Sequence, residues 1–251
     1  MEQYFEKMNN KYIEKYYPNR SVFEKVAKSM KKGSMFAYIF FGLLIIGSIA
    51  GAVWIINQNI SYQQSGDLDM AETGTIIAWF FGIFALLMLV PIVVTVLRNK
   101  KKSSDWMAIC AKKSKLNETQ LKEFEQQAMS SDSYILKLEK GSTAAVTGIL
   151  TRDYVYLGDL SLTVIRCEDI ASVCIVDVVS TSTTNNHTIK THDLAIKILS
   201  KEKVEAESVV NKVSGKALIE LLLERNPNIN TFDGKVLKER EYLRYRDSES
   251  V

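Results

Sequence analysis

Four residues have the types and order of a metal-ligand series: Cys167, Cys174, His187 and His192, spaced C-x6-C-x12-H-x4-H. Zinc requires four such donors to converge at about 2.0–2.3 Å. The first gap is too wide for a zinc-finger knuckle, and Cys174 falls on the apolar side of an alternating run. The series therefore predicts no metal; with Cys110, it predicts buried free thiols in a reducing compartment. His192-Asp193, with any of several serines, holds the ingredients of a hydrolytic triad, yet no G-x-S-x-G nucleophile elbow accompanies them. Phosphate-cradling loops of the G-x-x-x-x-G-K or G-x-G-x-x-G type are absent. Asp67, Asp69 and Glu72 read as an acidic turn, and Asn59-Ile60-Ser61 fits a glycosylation sequon close to an apolar run. No catalytic, cofactor-binding or metal-binding residue is assigned, and the chain is not expected to be an enzyme.

The elements around these residues carry the stronger signal. Over 251 residues, 47% hydrophobic and 24% charged side chains exclude a disordered or collagen-like chain and a polytopic transporter. The distribution is uneven, however. No Asp, Glu, Lys or Arg occurs from 33 to 66 or from 73 to 97, and the apolar runs 35–56 and 75–97 are 22 and 23 residues long. A bilayer core of about 30 Å takes roughly 20 helical residues, so each run is long enough to span once. The polar stretch before the first run sets it apart from a cleaved signal peptide. Gly47 and Gly51 form a GxxxG, and Gly74, Ala78 and Gly82 a small-xxx-small stripe, which predicts an antiparallel hairpin with Gly51 opposite Ala78 and Gly47 near Gly82. Pro91 is expected to kink the second helix. No ionisable residue lies inside either span, so transport by this hairpin alone is not expected.

Positive charge gathers at one end. Residues 1–33 and 98–102 hold twelve basic and four acidic side chains, including Lys28, Lys31, Lys32, Arg98, Lys100, Lys101 and Lys102. The connection between the runs carries no Lys or Arg. By the positive-inside rule both termini are cytoplasmic and the connection lies outside. The collar attracts anionic lipid headgroups, at about 1 kcal/mol per charge close to the surface. Residues 103–251 hold twenty basic and twenty-two acidic side chains, so no basic stripe for nucleic acid is expected there.

Before the first run, Phe5, Met8, Tyr12 and Tyr16 recur at helical spacing, Pro18 breaks that helix, and Ser21 with Glu24 forms a capping box for the next. This aromatic face suits either the membrane interface or docking on the cytoplasmic domain. Residues 103–131 read as two short helices, with Trp106, Ile109 and Cys110 on one face and Leu121, Phe124 and Ala128 on the next, Asn117 as cap. The period then changes to two. Tyr134/Leu136/Leu138, Val146/Gly148/Leu150, residues 153–157, Leu162/Val164, Cys174/Val176/Val178, Leu194/Ile196/Ile198 and residues 203–207 read as seven strands. A helix capped by Ser214 and ending before Pro227 closes the series.

Ile149-Leu150-Thr151-Arg152-Asp153-Tyr154-Val155-Tyr156, followed by Cys167-Glu168-Asp169-Ile170-Ala171-Ser172-Val173, resembles the "L-T-x-x-x-hydrophobic … hydrophobic-x-D-I-x-x-V" pattern of bacterial pleckstrin-homology-like (PH-like, YcxB-like) domains. That resemblance covers about 133–226 and implies a seven-strand, one-helix fold with a binding or scaffolding role. The stretch with Lys137 and Lys140 lacks the dense basic motif of phosphoinositide-binding members, so no ligand is implied.

The expected fold class is an α+β membrane protein: a two-helix transmembrane hairpin plus a cytoplasmic PH-like antiparallel β-domain with a C-terminal helix. Its parts are amphipathic helices (1–33), a first span (34–57), an outer loop (58–72), a second span (73–97), a basic helical linker (98–132), the PH-like domain (133–226) and a mobile tail (227–251). The expected function is a non-enzymatic, membrane-anchored binding, scaffolding or regulatory module of the cell membrane, without cofactor, that meets a protein partner or its own copies. The alternative is an accessory subunit of a transport or envelope-stress complex.

Overall fold

Alternating apolar residues punctuated by turns give strands at each of the seven expected places. They are β2 (Tyr134–Leu136), β3 (Gly148–Leu150), β4 (Tyr154–Tyr156), β5 (Val164–Arg166), β6 (Ile170–Thr184), β7 (His187–Ser200) and β8 (Glu205–Val209). The computed structural model describes residues 4–138, 147–158, 162–184 and 187–248, with backbone alone at 182–184, 187 and 188; Lys140 and Val146 lie outside the described residues. The chain divides into two units, Met1–Val26 with Ser103–Val251, and Ala27–Lys102.

The first unit is α+β with two sheets. One has the order β1-β2-β3-β4-β5 and is antiparallel throughout, with β1 (Phe5–Lys7) added at its edge. The other has the order β8-β7-β6-β9, in which β9 (Val236–Lys238) runs parallel to β6. Leu136, Leu150, Val155 and Ile165 from the first sheet meet Val173, Ile175, Ile196 and Ile198 from the second in one core. Helix α6 (Lys212–Arg225) closes it with Leu218 and Leu222. The helix lies so near β6 that a Cβ on Gly215 would stand 2.8 Å from Ile175 Cδ1. Its cap is Asn211, not Ser214; Ser214 completes the capping box and donates to the Leu138 carbonyl at 2.7 Å.

Three expectations change here. The helical period over 5–16 breaks at Asn9, which caps α1 (Asn10–Tyr16), because Phe5 gains more by joining a strand and burying in the core. The two helices expected as a separate linker, α4 (Ser103–Ser114) and α5 (Glu118–Ala128), belong to the same unit as the sheets. Phe124 meets Tyr154 and Tyr156 edge-on at 6.0 and 6.3 Å. The stretch expected as a mobile tail holds a strand and a helix. After β9, α7 (Glu239–Ser248) drives Tyr242 against Cys174 and Val176 on the outer face of β6, leaving that side chain 0% exposed. The tail has few apolar residues, but one well-placed aromatic supplies the burial that holds it.

The second unit is a helical hairpin formed by α2 (Val22–Ser65), whose first turn belongs to the first unit, and α3 (Leu68–Asn99). The expected loop over 58–72 shrinks to Gly66 and Asp67. Nothing in 57–65 breaks a helix, Gly66 supplies the left-handed turn at φ +80, and Asp67 caps α3 by accepting from Met70 N. α3 continues through Pro91 as one helix.

Candidate functional site

Neither long helix is a buried core helix. Of the most apolar window, 6% is buried in α2 and 0% in α3, and Trp54 and Trp79 stand 64% and 70% exposed. Both helices are long and apolar enough to cross a membrane. The contact between them is narrow and pinned by polar groups near each end. At one end Ser34 Oγ lies 2.6 Å from Asn99 Oδ1, and Asn99 Nδ2 donates to Tyr38 OH at 3.0 Å. At the other, Asn59 Nδ2 donates to Thr75 Oγ1 at 3.1 Å. The Asn59 Oδ1 atom sits where a Cβ of Gly74 would be, 1.8 Å away, so any larger residue at 74 requires the Asn59 amide to turn aside.

These pins place Gly51 against the Phe81 ring, with contacts from 3.4 Å for an added Cβ, rather than opposite Ala78. The register is thus about one turn from that expected. A Cβ added at Gly47 or Gly82 would meet open space. The small-residue stripes were legible; the asparagines that decide the register carry no periodic signal. Lys28, Lys31, Lys32, Arg98, Lys100 and Lys102 are exposed and Lys101 is half-buried, at the end closed by Ser34 and Asn99.

In the first unit the cysteine–histidine series does not converge. Cys167 lies in the main core, whereas Cys174 lies beyond the second sheet with Tyr242. Burial pushes both thiols up to about 12. His192 is exposed, with Nδ1 3.1 Å from Asp177 rather than Asp193, and the side chain of His187 lies outside the description.

Two clusters escaped sequence reasoning. Lys197 is 8% exposed on β7, lies 3.2 Å from Glu205 and 2.7 Å from Glu207 on β8, and stacks 5.1 Å over the Tyr242 ring. Burial works against its charge, and the two carboxylates outweigh burial, so its pKa rises. Arg246 reaches Glu205 at 3.6 Å, and the cluster lines an open groove of about 910 Å³ with Asp193 and Glu239. Lys197 and Arg246 both pair with Glu205, which makes the cluster a structural cross-brace between α7 and the sheet.

The second cluster surrounds Lys25. The first turn of α2 is rooted by Val22, Phe23 and Val26, all at most 2% exposed, and by Glu125 of α5, whose Oε1 accepts from Ser21 Oγ at 2.6 Å and Phe23 N at 3.3 Å. A carboxylate at a helix N-terminus answers the orphan N–H groups and the dipole. Lys25, so positioned, holds Nζ 4.2 Å from the Tyr17 ring and 5.9 Å from the Tyr16 ring, while Lys15 lies 4.9 Å over Tyr16. Thr147 Oγ1 stands 3.5 Å from Lys25 Nζ and 3.4 Å from Tyr12 OH. Burial lowers the ammonium to about 8.

No protein-family model matches this chain, and no curated protein or solved structure matches it either.

Proposed function

We propose that α2 and α3 cross the cell membrane as a hairpin with both termini cytoplasmic, anchoring a PH-like domain that acts as a non-enzymatic binding or scaffolding module. The observation that carries this reading is the pair of long helices whose apolar side chains are largely exposed among the described residues. Lys and Arg gather at one end of that hairpin while Asp67, Asp69 and Glu72 mark the other. For the domain, the support is order and shape: β2–β5 and β6–β8 form two antiparallel meanders, closed by α6.

The anchoring is tested with Ser65→Cys and Lys113→Cys, against a background of buried native cysteines. In intact cells a membrane-impermeant maleimide should label the first and reach the second only after permeabilisation. Extraction of the chain by alkaline carbonate, or the reverse labelling pattern, overturns it. The binding role is tested by cross-linking the full chain in native membranes, where the absence of any adduct defeats it. A second reading, an accessory subunit of a larger membrane complex, is favoured by Gly47 and Gly82, which leave open notches for further helices. Adducts to a polytopic protein through the hairpin would select it over self-association.

A further inference from the structure

Tyr12 of α1, Lys25 of α2 and Thr147 before β3 bring an ammonium and two hydroxyls together with, among the described residues, no anionic acceptor beside them. The hydroxyl–hydroxyl distance of 3.4 Å and the ammonium–hydroxyl distance of 3.5 Å are at the outer limit of hydrogen bonding, whereas such groups normally close to about 2.7–3.0 Å. An ammonium has three protons to donate and accepts nothing. Among the described residues no carboxylate comes within ion-pair distance of Lys25; rings and a hydroxyl are its company. All three side chains are half-buried, so they are partly desolvated yet reachable. Lys15, on the neighbouring Tyr16 ring, adds a second cation.

We propose that Lys25, Tyr12 and Thr147 bind a phosphate group, whose tetrahedral oxygens accept from the ammonium and both hydroxyls at once. A phosphate answers this set better than a planar carboxylate, because the donors come from three separate elements and two cations stand nearby. A lipid headgroup and a soluble phosphoester both carry such a group. In its lipid form the site deepens the membrane-anchored reading; in its soluble form it does not depend on it.

The test uses the full chain and reads acetylation of Lys25 by an amine-reactive ester, with Lys112 as reference, by mass spectrometry. In neutral detergent micelles, inorganic phosphate should slow Lys25 acetylation about fivefold relative to chloride at equal ionic strength. In nanodiscs, phosphatidylcholine mixed with phosphatidylglycerol should protect Lys25 more than phosphatidylcholine alone. Protection in both arms assigns a headgroup; protection by inorganic phosphate alone assigns a soluble phosphoester. Tyr12→Phe combined with Thr147→Val should abolish protection at an unchanged melting temperature. If neither arm slows acetylation, or if the double variant keeps full protection, there is no phosphate site. Because the micelle arm needs no bilayer, its result stands whether or not the hairpin crosses a membrane.

Discussion

At Gly74 a single missing methyl group decides how two helices meet. Asn59 Oδ1 fills the place of its Cβ, and the same amide donates to Thr75. A methyl at Gly74 forces Asn59 to turn away and lose that bond, worth about 0.6–1.7 kcal/mol between helices in lipid. Gly74→Ala should therefore be less stable than Gly47→Ala, which meets open space, by about 0.6–1.7 kcal/mol in denaturant unfolding in detergent micelles. Comparing the two variants cancels the helix-propensity gain common to both. Lys25 makes a second residue-level prediction. Its folded pKa, about 8, lies below the ordinary lysine value of about 10.4. Between those values the unfolded chain binds the extra proton, so stability rises with pH across that window. The cost of burying the ammonium is fully present below it. Lys25→Met should accordingly raise the melting temperature at neutral pH, with the advantage fading as pH climbs above about 8.

Among the elements, β9 and α7 hold the outer face of β6 through Tyr242. Deleting 231–251 removes that cover from Cys174, whose thiol is otherwise held up at about 12 by burial. The truncated chain should react with a thiol reagent at Cys174 within minutes at neutral pH and melt lower, while Cys167, in the other core, stays protected. Peptide mapping after alkylation separates the two. This strap also marks where sequence reading stops. The seven strands were legible because Ile, Val and Leu alternate, and the two long helices because no charge interrupts their runs. β1 and β9 are three residues each, too short to show a period, and they exist only because a sheet edge is waiting for them. The helical extension over 57–65 is polar, so apolar patterning could not see it. Lys25, Tyr12 and Thr147 are 13 and 122 residues apart along the chain; only folding makes them neighbours.

Across the whole molecule, charge and apolar surface are separated. The +3 net charge is the residue of a strongly basic collar, an acidic hairpin tip and a nearly balanced folded unit. The folded unit satisfies its own apolar residues within two sheets and their helices, whereas the hairpin leaves nearly all of its own facing outward. That difference in self-sufficiency is what the anchoring proposal rests on.

The turn at Gly66 and Asp67 has a practical meaning for how this chain presents itself. Proteases act on extended, accessible segments, and here only two residues between α2 and α3 are non-helical. The turn itself therefore offers a protease almost no extended backbone to cut.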